Sequence, residues 1–99
     1  MNMETKEYIE AAKRLLRINS AELSRRMEIS DASMSQYETG KRRLDDYAAV
    51  KLAELIKINP MRIITQSNIE REKDPKKHYY WMMLRDKLEA EAKRNKEPI

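Results

Sequence analysis

The sequence predicts an all-α protein, and three observations carry that reading. One glycine, three prolines and few β-branched runs leave little to interrupt helix. Apolar residues recur at three- and four-residue spacing rather than in alternation, which gathers them on single helix faces. Asn59-Pro60 and Asp74-Pro75 repeat one device, a capping side chain followed by proline at the first helical position.

The first helix is expected over about 5–17, with Tyr8 or Ile9, Ala12 and Leu16 buried and Lys13, Arg14 and Arg17 outside. A second is expected over about 20–27 and a third over about 31–39, because Asn19-Ser20 and Ser30-Asp31 can each cap exposed N–H groups. The third stops at Gly40, where a left-handed residue is needed. A polar loop over 41–44 leads to Asp45-Asp46, acidic residues suited to the positive end of a fourth helix. That helix carries Tyr47, Val50 or Ala49, Leu52-Ala53 and Ile56, and ends near Lys57. A fifth runs over about 60–72 with Met61, Ile63, Ile64 and Ile69 apolar, and a sixth over about 75–93 through Trp81, Leu84 and Leu88. Residues 94–99 are expected to fray.

The stretch 18–40, INSAELSRRMEISDASMSQYETG, is the most informative. Leu23 and Met27 share one helix face, Met34 and Tyr37 the next. Glu28-Ile29-Ser30 between them is too short for a loop and suits the turn of a helix-turn-helix over about 20–39. Asn19, Glu22-Leu23-Ser24, Met27-Glu28-Ile29-Ser30 and Tyr37-Glu38-Thr39-Gly40-Lys41-Arg42 follow one another in a familiar order, continued by Ala48, Leu52, Ala53, Leu55 and Ile58. In these residues the chain resembles the lambda-repressor-like, or Cro/CI-type (XRE), DNA-binding domain over about residues 5–65. Two positions depart from that pattern: Glu28 stands where the family often has glycine, and Ser20 where many members carry a glutamine that braces the phosphate. Glu28 must therefore tolerate a positive φ.

The resemblance implies a five-helix lambda-repressor-like DNA-binding domain over residues 1–73, with an added C-terminal helix over 74–99 packed on the same domain. Two readings stand for that helix: it packs on the first or fifth helix to complete the core, or part of it joins a two-fold interface, whose cores favour Trp, Tyr and Met. Similar additions occur in small regulators of prophages and filamentous phages, and the chain looks like one.

Composition narrows the function classes. Ninety-nine residues suit one domain with a small helical core. With no cysteine, neither disulfides nor thiolate metal sites are expected, and a lone His78 does not make a metal site. Catalytic residues and cofactors are not expected, since the chain lacks a glycine-rich phosphate loop and a carboxylate pair in a pocket-forming context. No apolar stretch approaches the ~20 residues that span a bilayer, and the N-terminal residues have no signal-peptide core. A cytoplasmic protein without a small-molecule ligand is the expectation.

Charge distribution says more than the net +4. Lys13, Arg14, Arg17, Arg25, Arg26, Lys41, Arg42 and Arg43 outnumber Glu22, Glu28, Asp31 and Glu38 over residues 13–43. A recognition helix in the major groove offers its outward residues to base edges. With Met34 and Tyr37 inward, the family's base-reading positions fall on Asp31, Ala32, Ser33 and Gln36. Gln36 can bond adenine N6 and N7 together, and Ala32 can meet a thymine methyl. Asp31 either favours the helix dipole or accepts from cytosine N4. Ser20, Ser30, Ser33 and Ser35, with Lys41, Arg42 and Arg43, are the expected phosphate contacts. Glu38 is expected to pair with Arg25, Arg26 or Arg42 rather than to face DNA. Met61, Ile64, Ile69, Trp81 and Leu84 supply apolar surface for a homodimer on a near-palindromic operator. The expected function is a sequence-specific double-stranded DNA-binding transcriptional regulator that represses by occupying a promoter. An antitoxin or restriction-controller protein uses the same domain, and a protein–protein adaptor uses the same scaffold without DNA.

Overall fold

The computed structural model describes residues 2–99, and among these it holds no strand and six helices: α1 (Thr5–Leu16), α2 (Ser20–Met27), α3 (Asp31–Glu38), α4 (Asp46–Ile56), α5 (Pro60–Arg71) and α6 (Pro75–Arg94). Five of the starts are fixed by a side chain that accepts from a first-turn amide. Asn19 takes the Glu22 N–H at 2.9 Å, Ser30 that of Ser33 at 3.0 Å and Asp45 that of Ala48 at 2.9 Å. Asn59 and Asp74 do the same before Pro60 and Pro75. Each such cap contributes about 1 kcal/mol relative to alanine.

The helix ends share a less obvious device. Arg17, Glu28 and Lys57 close α1, α2 and α4 in the left-handed region, at φ 56°, 57° and 60°. A non-glycine residue there costs on the order of 1 kcal/mol. In each case an isoleucine follows, and its N–H reaches back five residues at 3.1 Å: Ile18 to Lys13, Ile29 to Ser24, Ile58 to Ala53. All three isoleucine side chains pack on the core, so apolar burial holds the strained residue in place.

One continuous core unites α1 to α4. Tyr8, Ile9 and Ala12 meet Leu23 and Met27, Met34 and Tyr37, and Leu52, Ala53 and Ile56, with Ile63 of α5 closing the cluster. Lys13 departs from expectation, since it is half-buried rather than outside.

The second layer, α5 and α6, is built differently. α5 buries Arg62, Thr65, Gln66 and Ser67 beside Ile63. The Arg62 side chain is 3% exposed. It donates to Glu89 through Nε at 3.2 Å and Nη2 at 2.9 Å, to Glu97 at 2.8 Å and to the Ile99 backbone oxygen at 2.7 Å. Its guanidinium also lies 5.9 Å from the centre of the Tyr8 ring. α6 packs along α5 and buries Leu88 and Ala92. The expectation that residues 94–99 fray is corrected: Lys96 turns left-handed at φ 55°, the Glu97 N–H bonds the Ala92 oxygen, and Ile99 packs against the core. Glu97 here takes the place that isoleucine holds at the other three ends, with Arg62 as its partner. Among the described residues no helix is long and apolar enough to cross a membrane.

Candidate nucleic-acid interface

α2 and α3 meet through Leu23, Met27, Met34 and Tyr37, all 2% exposed or less. The turn between them is tied on both sides. Glu28 pairs with Lys51 of α4 at 2.7 Å, a contact that holds its carboxyl below the usual carboxylate range. The buried Ser24 hydroxyl donates to Asp31 at 2.8 Å. Asp31 is thus bound to α2 at the start of α3, while the cap is Ser30. Ser33 accepts from the Ser30 hydroxyl at 3.0 Å.

On α3, Asp31, Ala32, Ser35 and Gln36 are exposed and Ser33 is half-buried. Ala32, Ser35 and Gln36 stand three and four apart, so they form one row along the helix. Arg42 organises the end of that row. Its guanidinium lies over the Tyr37 ring at 4.7 Å, donates to the Tyr37 hydroxyl at 2.5 Å and to Gln36 Oε1 at 3.1 Å, and sits 3.4 Å from Asp45. A guanidinium only donates, so the Gln36 amide must turn its oxygen inward and its nitrogen outward. Arg42, expected as a phosphate contact, is exposed and also positions Gln36. Burial and Asp45 raise the Tyr37 hydroxyl pKa against the pull of Arg42, so this phenol stays a neutral donor that bonds Asp45 at 3.1 Å.

Glu38 finds a partner other than the arginines expected for it. Lys13 of α1 donates to it at 2.5 Å, and the Ser20 hydroxyl donates to the same oxygen at 2.6 Å. Burial works against both charges, yet these hydrogen bonds outweigh it: the Glu38 carboxyl sits below and the Lys13 ammonium above its ordinary value. Ser20, expected as a phosphate contact, thus also braces α1, α2 and α3. Arg25 and Arg26, the arginines foreseen for Glu38, both pair with Glu22, whose carboxyl they hold down to about 2.

Lys41 is exposed, and Arg43 is half-buried with its Nε enclosed and unpartnered. Leaving such a donor unpaired costs about 1–3 kcal/mol. Of the residues expected at a two-fold interface, Met61 is exposed, while Ile64, Ile69, Trp81 and Leu84 are half-buried between α5 and α6 or beside them. On α6, Tyr79 and Tyr80 are 63% exposed and Met83 52%; Tyr47 of α4 is 54% exposed. Sequence reasoning passed over Lys13 and the positioning role of Arg42. Spacing could have flagged neither, because both depend on how α1 and the loop after α3 settle on α3. No family model, curated protein or solved structure matches the chain.

Proposed function

We propose that the protein is a sequence-specific double-stranded DNA-binding transcriptional regulator of the lambda-repressor-like, Cro/CI-type kind, which represses by occupying a promoter. The observation that carries this reading is the outward row Ala32, Ser35 and Gln36 on a helix anchored from behind, with Gln36 oriented by Arg42. A residue on a mobile side chain reads bases poorly; one held by a guanidinium presents its Nε2 to a purine N7. The second lone pair of Oε1 still accepts from adenine N6. Ala32 fits a thymine methyl, and Lys41 and Arg43 meet phosphates beside the groove.

A single α3 contacts few base pairs, so the working unit is a homodimer on a near-palindrome with half-sites about one turn, ~34 Å, apart. Support for a second copy comes from Met61, Tyr79, Tyr80 and Met83, apolar side chains left exposed on α5 and α6. Selection of bound duplexes from a random pool, followed by sedimentation with the selected site, tests both parts. Enrichment of a two-fold-related site bound by two copies is expected. A strict monomer on a non-repeated site would remove the dimer, and no enrichment at all would remove the DNA-reading function.

A further inference from the structure

We infer that the cleft where the start of α1, the loop after α3 and the end of α5 converge is a phosphate-binding pocket, filled in the DNA complex by a backbone phosphate. This rests on the DNA-binding reading above, and it extends the protein's footprint to two residues outside the helix-turn-helix, Lys6 and Arg71. The cleft has a volume of about 300 Å³ and gathers Lys6, Lys41, Arg43 and Arg71 on its walls. Among the described residues, Lys41, Arg43 and Arg71 have no carboxylate within ion-pair distance, and Lys6 has only Glu4 at 4.0 Å.

The two acids of the cleft, Glu4 and Glu70, leave its walls with an excess of positive charge. Glu70 is held by neutral donors, accepting from the Thr5 N–H and hydroxyl at 2.7 Å each and from Gln66 at 3.2 Å. Glu4 is an exposed rim residue, its side chain 61% accessible. With Arg42 also on the wall, five cations face two carboxylates around one space, and Arg43 among them carries a buried N–H without an acceptor. Buried donors are almost always paired, and the Arg43 Nε on this wall has no protein acceptor. A tetrahedral anion with several acceptor oxygens meets that need, and a guanidinium fork fits it better than an ammonium does. The placement is specific: the Lys6 stem lies beside Gly40, where a Cβ would come within 3.3 Å of its Cδ, so Lys6 is set directly against the end of the recognition segment.

The test compares the full-length wild type with Lys6→Gln/Arg71→Gln on a selected duplex and an unrelated one, across salt. Lys73→Gln/Lys76→Gln removes the same charge from the region before and at the start of α6 and serves as the control. In parallel, ¹⁵N spectra follow the Arg43 Nε–H during titration with inorganic phosphate. The pocket pair is expected to weaken both duplexes about 5–30-fold, leave their ratio unchanged, and flatten the salt dependence by about 0.9 for each of two lost contacts. The control pair should weaken binding no more than about twofold, since counterion release needs close contact. Wild-type affinity and slope in the pocket pair, or an equal loss in the control, would overturn the DNA-phosphate assignment. Should the wild type bind no duplex, the DNA-reading function fails and the titration decides the pocket alone. A saturable Arg43 shift absent from the pocket pair then assigns it to a free phosphate anion, and an unmoved resonance overturns the pocket.

Discussion

The α1–α4 half and the α5–α6 half of this small protein close the same structural problem with opposite chemistry. At the ends of α1, α2 and α4 the left-handed residue is followed by an isoleucine packed on the core. At the end of α6 the left-handed Lys96 is followed by Glu97, whose side chain is 13% exposed and bonded to Arg62. The rest of each half agrees with its ends. Leu23, Met27, Met34 and Leu52 fill the first, and Arg62, Thr65, Gln66 and Ser67 line the second. α3 is thus backed mainly by apolar packing, with the Lys13–Glu38 ion pair added at its end. The helices behind it are joined by charges, which hold only while every partner is present.

That contrast can be broken from either side. Met34→Ala should have the largest effect, costing about 2–5 kcal/mol by the cavity it leaves, equally at low and high salt in urea melts. Arg62→Ala should cost roughly 2–4 kcal/mol, toward the lower part of the range for a broken buried pair because Glu89 is one-third exposed. Arg62→Met/Glu89→Leu/Glu97→Leu should recover most of that loss. A triple variant no better than Arg62→Ala would mean that shape rather than charge joins the halves.

The pH dependence follows from groups at the junctions. Burial pushes the Tyr8 hydroxyl up to about 12, with Arg62 opposing and Glu89 reinforcing. The unfolded phenol ionises near 10, so this stabilisation is intact below pH 10 and lost as pH rises toward 12. Glu38 behaves in the opposite sense. Its folded carboxyl sits below the unfolded value, so the contribution is full above about pH 4.5 and declines as pH falls through the folded value. Lys13→Met should diminish the acid limb and leave the alkaline one, as read by melting temperature against pH.

The smallest effects test the helix ends themselves. Arg17→Gly and Lys96→Gly each relieve ~1–2 kcal/mol of left-handed strain but give back ~0.4–1 through a more flexible unfolded chain, for a net gain of about 0.5–1 kcal/mol. An unchanged melting temperature for Lys96→Gly beside a raised one for Arg17→Gly would show that the last turn does not share in the cooperative fold.

Much of the architecture was legible because local chemistry marks it. Asn19, Ser30, Asp45, Asn59 and Asp74 announce their helices within a few residues, and every helix end was anticipated to within a residue or so. The inward face of α3 was readable from Met34 and Tyr37, and the positive φ at Glu28 followed from the resemblance, which puts a glycine position there. What the sequence hid lies in long-range charge pairing. Glu38 had several arginines nearby in the chain, yet the residue that reached it was a lysine, Lys13, from another helix. α5 has no clean apolar stripe, so nothing local distinguishes the buried Arg62 from the exposed Arg71. The folded-back tail depends on Arg62, more than thirty residues earlier, which is why terminal position alone suggested fraying.

The central functional claim is that a Gln36 fixed by Arg42 reads one base in each half-site. Its most direct test is the affinity of wild type and Gln36→Ala for the selected duplex and for that duplex with each other base at the preferred adenine. The wild type should discriminate by about 1–3 kcal/mol at that position, and Gln36→Ala should bind all four duplexes alike with an unchanged melting temperature. Preference retained in full by Gln36→Ala would contradict the claim and assign the reading of that base to another residue.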